Sequence, residues 1–280
     1  VTLLQSDQEV DLASRHLLAT ALAAAFADPL TVRGQKAFHL TEEAAASSWD
    51  IAKLMYSELG EMALAPGEIS PLKVSIEPLV EWLHLDLERR KTAYRHVFGF
   101  VIAKNCPLYE TEYLPWKDST FRSQQMADIA GFYHAFGLRP DPREPDRPDF
   151  LSLELDFVAY LFEKILWTTQ EDGGQAGEHE AVCRDALAKF VADHATWWLP
   201  AVGVHLDRRV EAMAAMSTDE EERADILLLG RIGRILRAWI ALERNLHGLP
   251  APTRLVVPQI EPEGEEDDCA DECGGGCASN

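Results

Sequence analysis

The chain has 280 residues, with 26 Lys and Arg against 47 Asp and Glu, a formal net charge of -21. That acidity excludes nucleic acid and anionic membrane surfaces as partners, because both require a basic footprint. Apolar residues at 47% allow a large core and exclude global disorder. Five Cys are too few and too scattered for a disulfide scaffold of this size, which points to a reducing, cytoplasmic setting.

Along the chain the pattern is helical. Residues 17–27 (LLATALAAAFA) imitate a secretory leader and its Ala-Phe-Ala cleavage triplet. However, Asp7, Glu9 and Asp11 precede the run where a leader needs positive charge. The segment reads as a buried first helix over 7–27, stopped by Asp28-Pro29. No apolar run approaches the ~20 residues that span a bilayer.

Helices are expected over 41–62 and over 77–98, the latter ending at Gly99. Residues 106–117 (CPLYETEYLPWK) read as a Pro-punctuated loop. Ser119 reads as the N-cap of a helix reaching Phe136, with Gly137 at its C-terminal stop. Residues 139–148 hold four prolines and read as an extended connector. Leu151, Leu155, Val158, Phe162 and Ile165 then form one apolar stripe at 4-3-4-3 spacing.

A breaker at 171–177 (EDGGQAG) precedes helices around 178–198 and 200–216. Thr218 and Glu221 suit a capping box for the last helix. Its stripe is Leu228, Ile232, Ile235, Trp239, Leu242 and Leu246. No segment alternates strongly at period two. The expected fold is all-α, a single helical-bundle domain over 1–249. The tail, 250–280, is Pro-rich, acidic and Cys-bearing, and reads as flexible; from Gln259 onward it holds eight acids and no base. The other 39 acids against 26 bases leave the body near -13.

Little catalytic chemistry is visible. Cys269, Cys273 and Cys277, at C-x3-C-x3-C spacing, are weak candidates for a soft metal or part of a cluster. The alternative is a solvated tail with incidental thiols, since flanking carboxylates disfavour thiolates. Glu81 and His84 form one E-x-x-H, whereas a di-iron bundle needs two such pairs and two further Glu; an ordinary helix surface is the other reading. His179 and Cys183 lie one turn apart. There is no H-E-x-x-H, Walker loop, G-x-G-x-x-G or G-x-S-x-G. His194, before Trp197-Trp198, reads as a packed residue. The loop around Tyr109, Glu110, Glu112, Tyr113 and Trp116 combines rings with carboxylates. It suits either recognition of a basic, apolar peptide or a loop pinned by its own rings.

Five stretches carry a resemblance: 14–31 (SRHLLATALAAAFADPLT), 109–116 (YETEYLPW), 129–138 (IAGFYHAFGL), 147–161 (RPDFLSLELDFVAYL) and 190–202 (FVADHATWWLPAV). In order and spacing they resemble the TorD/DmsD/NarJ family of cytoplasmic molybdoenzyme maturation chaperones. The likeness spans about Leu12 to Asn245. Glu110 and Tyr113 match the family's loop motif, and Tyr133, Gly137 and Leu138 its helix end. Pro148 and Asp149 match a Pro-Asp pair, followed by Glu154, Leu155 and Phe157. His194, Trp197 and Pro200 match the last motif.

The resemblance implies a chaperone without catalytic activity or a cofactor of its own. Its implied partner is the catalytic subunit of a molybdopterin-dependent oxidoreductase and its N-terminal leader, often twin-arginine. The apoenzyme would be held until cofactor insertion, delaying export, by a monomer or a dimer that uses neither nucleic acid nor membrane. The implied client-binding residues are Tyr109, Glu110, Glu112, Tyr113, Trp116, Tyr133, Pro148, Asp149, Phe150 and Glu154. Asp149 reads either as an arginine contact or as a helix N-cap. The His expected after Pro-Asp is Phe150 here, and the Cys-bearing tail is not a usual family feature. The rival from another class is a helical metal-binding protein using Glu81 and His84 or the terminal cysteines.

Overall fold

The computed structural model describes residues 7–35, 40–60, 63–99, 106–115, 118–139, 141–169 and 176–256. Among them the chain forms ten α-helices: α1 Asp7–Phe26, α2 Val32–Gln35, α3 Glu42–Glu58, α4 Glu77–His84, α5 Leu87–Phe98, α6 Ser119–Ala135, α7 Leu151–Thr168, α8 Ala176–Phe190, α9 Leu199–Met216 and α10 Glu220–Leu246. No strand occurs among the described residues, only a single antiparallel bridge between Tyr109 and Phe150. The all-α expectation therefore holds.

Two helix pairs organise the body. In the first, α1 packs on α7 and α3. Its C-terminal half is buried nearly all round, from Leu18 through Ala21, Leu22 and the Ala23–Ala25 run to Phe26. Alanines let α7 approach closely enough for Ser152 Oγ to donate to Ala23 O at 2.6 Å. In the second, α10 packs against α9, α5 and α4. One core cluster runs continuously through both pairs, from Leu12 to Leu242.

Buried ion pairs tie the long helix to its surroundings. Arg15 of α1 meets Glu243, and Arg244 donates to Glu68 from Nε at 2.7 Å and from Nη2 at 2.9 Å. Packing continues past 249, the expected edge of the body, since Leu255 rests beside Gly67 against the core.

The expected boundaries shift at several points for local reasons. The helix expected over 77–98 is broken at Leu85, which is extended, and Asp86 caps a new helix by accepting from Glu88 N at 2.9 Å. Asp118, not Ser119, caps α6, and Asp219, not Thr218, caps α10 by accepting from the Glu221 and Glu222 amides. The 41–62 helix ends at Glu58, with Thr41 as its N-cap. Gly99 does close α5, at φ 73°, the left-handed region open to glycine. The segment expected as helix over 178–198 becomes π-helical at Val191–Ala195.

Where α9 crosses α10, a Cβ on Gly203 would lie 2.8 Å from Gly233 O and 2.4 Å from Arg237 Cδ. Backbone cannot yield as a side chain can. Gly203→Ala should therefore destabilise the protein by about 1–2 kcal/mol, overpacking outweighing the better helix propensity of Ala. Urea unfolding with an unchanged m-value checks this.

Candidate functional site

Three segments distant in sequence converge at one end of the α1–α7 pair. Residues 106–115 cross the start of α7. Glu110 N donates to Asp149 O at 2.9 Å, and Leu151 N donates to Leu108 O at 2.8 Å. A 3-10 turn, Glu110–Tyr113, then buries Glu110 and Tyr113 completely.

Burying Glu110 demands partners, and each comes from a different element. Gln125 Nε2 on α6 donates to Glu110 Oε1 at 2.7 Å. His194 Nδ1, in the π-helical turn, donates to Oε2 at 3.2 Å. The extra residue of a π-turn is what re-aims such a side chain, and these turns recur at functional positions. Thr196 N donates to Val191 O at 3.1 Å, closing the wide turn. The imidazole is fully buried between the rings of Phe132 and Phe190, with Asp128 Oδ2 3.4 Å from Nε2.

Glu154 of α7 completes the cluster. Its Oε2 accepts from Trp198 Nε1 at 3.2 Å. Burial first, and then the neighbouring Glu110, push its carboxyl well above the ordinary range. Burial raises Glu110 as well, against the pull of His194. Glu154 Oε1 is buried without a donor facing it. The two carboxyls lie close enough for each to act on the other's titration, so neither holds its charge as readily as an exposed glutamate.

Asp149 is also fully buried and does contact an arginine, but the chain's own. Arg147 donates to Oδ1 from Nε at 2.9 Å and to Oδ2 from Nη2 at 2.7 Å, while Thr111 N and Oγ1 donate to Oδ2 at 3.1 and 2.8 Å. Its N-cap reading is corrected: Phe150 occupies the cap position of α7, with no side-chain cap bond. Glu112 pairs with Arg122 at 3.0 Å and Arg147 at 3.4 Å. The Arg147 guanidinium lies 4.5 Å over the Tyr109 ring, and Tyr109 packs against Phe150 at 5.3 Å. Tyr113 OH donates to Pro107 O at 3.0 Å. Trp116 and the three tail cysteines lie outside the described residues.

Beside this buried cluster lies a groove of about 520 Å³, between α6, α7 and the 141–148 part of the connector, with His16 and Thr20 of α1 at one side. That volume falls in the range of about 300–1,000 Å³ typical of ligand sites. Tyr133, Leu138, Leu153, Phe157 and Tyr160 supply its apolar floor. The acids Asp141, Glu144, Asp146, Asp156 and Glu163 line it against two arginines, Arg33 and Arg139. Arg33 is engaged with Asp146 at 3.1 Å and Asp156 at 3.7 Å. Of the sequence-derived candidates, Tyr133 and Pro148 reach the groove, joined by a 2.9 Å bond from Tyr133 OH to Pro148 O.

The helix end Tyr-x-x-x-Gly-Leu has a plain physical meaning. Leu138 N donates to Tyr133 O at 2.9 Å and Gly137 N to His134 O at 3.0 Å, with Gly137 at φ 75°. This is a Schellman stop, and it turns the chain sharply into the groove's rim.

Residues 68–202, the stretch holding the loop, the groove's two main helices and the π-turn, match the family model of the nitrate reductase delta subunit. The matched stretch is of the NarJ/TorD type. The family consists of molybdoenzyme maturation chaperones and not of catalytic enzymes. No curated protein and no solved structure matches the chain.

Within this family frame, the departure at Phe150 is a buried ring in the bridge to Tyr109. For the rival metal reading, His84 Nδ1 donates to Val80 O within its own helix at 2.9 Å, and Glu81 is exposed. Among the described residues no group of three or more His, Cys, Asp or Glu could hold a metal ion. No described helix is long and apolar enough to cross a membrane.

A carboxyl that holds its proton more tightly folded than unfolded costs stability as pH rises from the ordinary glutamate range toward its folded value. Glu154→Gln fixes the neutral form. The unfolding free energy of the wild type relative to Glu154→Gln should therefore fall as pH rises above the ordinary glutamate range, measured by urea titration at each pH. A difference that stays flat with pH would mean that the Glu154 carboxyl is not raised by folding.

Proposed function

We propose that this chain is a system-specific chaperone whose groove receives the N-terminal segment of a molybdopterin oxidoreductase catalytic subunit, in twin-arginine or related form. The observation that carries this reading is the pairing of five groove carboxylates with a floor of tyrosines, Phe157 and leucines. A leader with two cations beside an apolar stretch is complementary to both halves. The carboxylates steer it and the rings hold it.

Lys164 already lies 5.4 Å from the Tyr160 ring centroid, so this ring takes a cation within the chain itself. In this reading Glu110, Tyr113, Asp149, Phe150 and Glu154 position the groove's walls, while Tyr109 and Glu112 hold Arg147 at the end of the connector. The chaperone body is the helical part, 1–249, with Leu255 of the following segment still packed on it, and the acidic residues beyond are an appendage. The work is done in the cytoplasm, on the apoenzyme before its cofactor is inserted and before export.

Titration calorimetry with a synthetic leader carrying paired arginines tests the groove. Tyr160→Ala and Glu163→Lys should each weaken binding about tenfold, or ~1.4 kcal/mol. Affinity unchanged by both substitutions would overturn the assignment. Asp149→Asn should instead lower the unfolding midpoint, because it disrupts a buried bidentate pair, and leave the affinity of the folded protein as it was. Affinity purification from the native host should recover the large subunit of the client.

A further inference from the structure

The acidic tail is the sequence feature that the chaperone reading leaves without a role. The described chain leads directly to a place that suits it. Leu255 packs beside Gly67, and Gly67 O accepts from Arg237 Nε. Arg237 begins a short arginine stripe that continues back along α10 through Arg234 to Arg231, spaced i, i+3, i+6 on one side of the helix. Arg231 and Arg234 are exposed, and neither is in an ion pair among the described residues. Arg234 is close enough for its charge to act on both Asp207 and Arg237. The neighbouring acids are Asp207, which pairs with Arg237 at 2.6 Å, and Glu211 one turn further along α9.

We propose that the tail's acidic segment, 261–272, docks on the Arg231–Arg234 face of α10. Residues 257–280 carry eight acids and no base, so the charges are complementary. The reach is sufficient. Glu261 lies five residues past Val256, a span of up to about 17 Å when extended. Arg231 lies six residues from Arg237 along the helix, about 9 Å away. The tail is tethered at its root beside the stripe, so contact is intramolecular and runs at a high effective concentration.

The contact has a consequence for the groove, and only this consequence rests on the proposed function. Eight carboxylates on a tether are competitors for the cations of a basic leader. Docked on α10 they are neutralised on a helix that contributes nothing to the groove's lining of α1, α6 and α7 residues.

The tail's own thiols provide the probe. Cys106 and Cys183 are buried, and burial pushes the Cys106 thiol up to about 12, so a maleimide dye is directed to the tail. Full-length protein with Cys273→Ser and Cys277→Ser carries the dye on Cys269. Raising ionic strength from about 0.01 M to about 1 M shortens the screening length from roughly 30 Å to 3 Å. Dye anisotropy should be high at low salt and fall to the value of the labelled 257–280 peptide at high salt. Arg231→Glu with Arg234→Glu should give the free-peptide value at every salt concentration, with helicity retained by circular dichroism. Arg231→Gln with Arg234→Gln, a milder change to the same exposed positions, should lose most of the salt dependence. A free-peptide value for the wild type at low salt would overturn the proposal. So would anisotropy unchanged by charge reversal, or anisotropy that rises with protein concentration, which would place the tail on a second copy.

Discussion

Glu110 is a carboxylate taken fully out of water, and the site end of the molecule is organised around satisfying it. An unpaired buried charge costs several kcal/mol, so its partners cannot be optional. They arrive from α6 through Gln125 and from the π-turn through His194, with Glu154 of α7 alongside. Each partner fixes the position of the element that carries it. Satisfying one side chain thereby sets how α6 stands relative to α7, and that spacing is the width of the groove. Trp198 extends the constraint into the start of α9 by bonding Glu154.

The same accounting separates charges that hold the fold from charges that remain for a partner. Glu112, Asp149 and Arg147 form a closed set with Arg122 and Thr111. These carboxylates stand in the loop where aromatic and acidic residues are densest in sequence. Their arginines are internal, and the loop is pinned by its own contacts. The acids that line the groove are shared between a Pro-rich connector and the groove-facing side of α7, with two arginines among them. Most of these acids also have partners within the chain: Arg33 meets Asp146 and Asp156, Arg143 holds Asp141, and Glu144 accepts from Val32 N, so Glu163 is the groove acid that the fold's own contacts engage least.

Helices such as α7 and α10 were legible because each buries a stripe that recurs at helical spacing. The break at Leu85 was not, because apolar residues continue through it and only the Asp86 side chain reveals the new start. Caps were misplaced by one residue at Ser119 and Thr218 for a related reason. Adjacent Asp and Ser or Thr both suit the position, and tertiary packing chooses between them. Glu110 and His194 are 84 residues apart, and no local pattern links them. The groove was missed because Asp141, Glu144 and Asp146 sit among four prolines and read as a spacer. A Pro-rich stretch has no helical face, so nothing in its sequence says which side it turns toward the body.

Most of the residues that carry the family likeness perform the fastening. Tyr133 and Gly137 stop α6 and tie it to Pro148, Asp149 locks the connector's end, and Glu154, His194 and Trp198 close the buried cluster. Such positions are constrained by burial and hydrogen bonding, which are the same whatever the client. Glu163 and the open face of Tyr160 are constrained far less by the fold and more by what enters the groove. A shared signature of this kind is therefore strong on fold and silent on the client's sequence. Phe150 illustrates the point: a ring that fills the bridge to Tyr109 fastens the wall by packing, whatever polar contact a His there would have made.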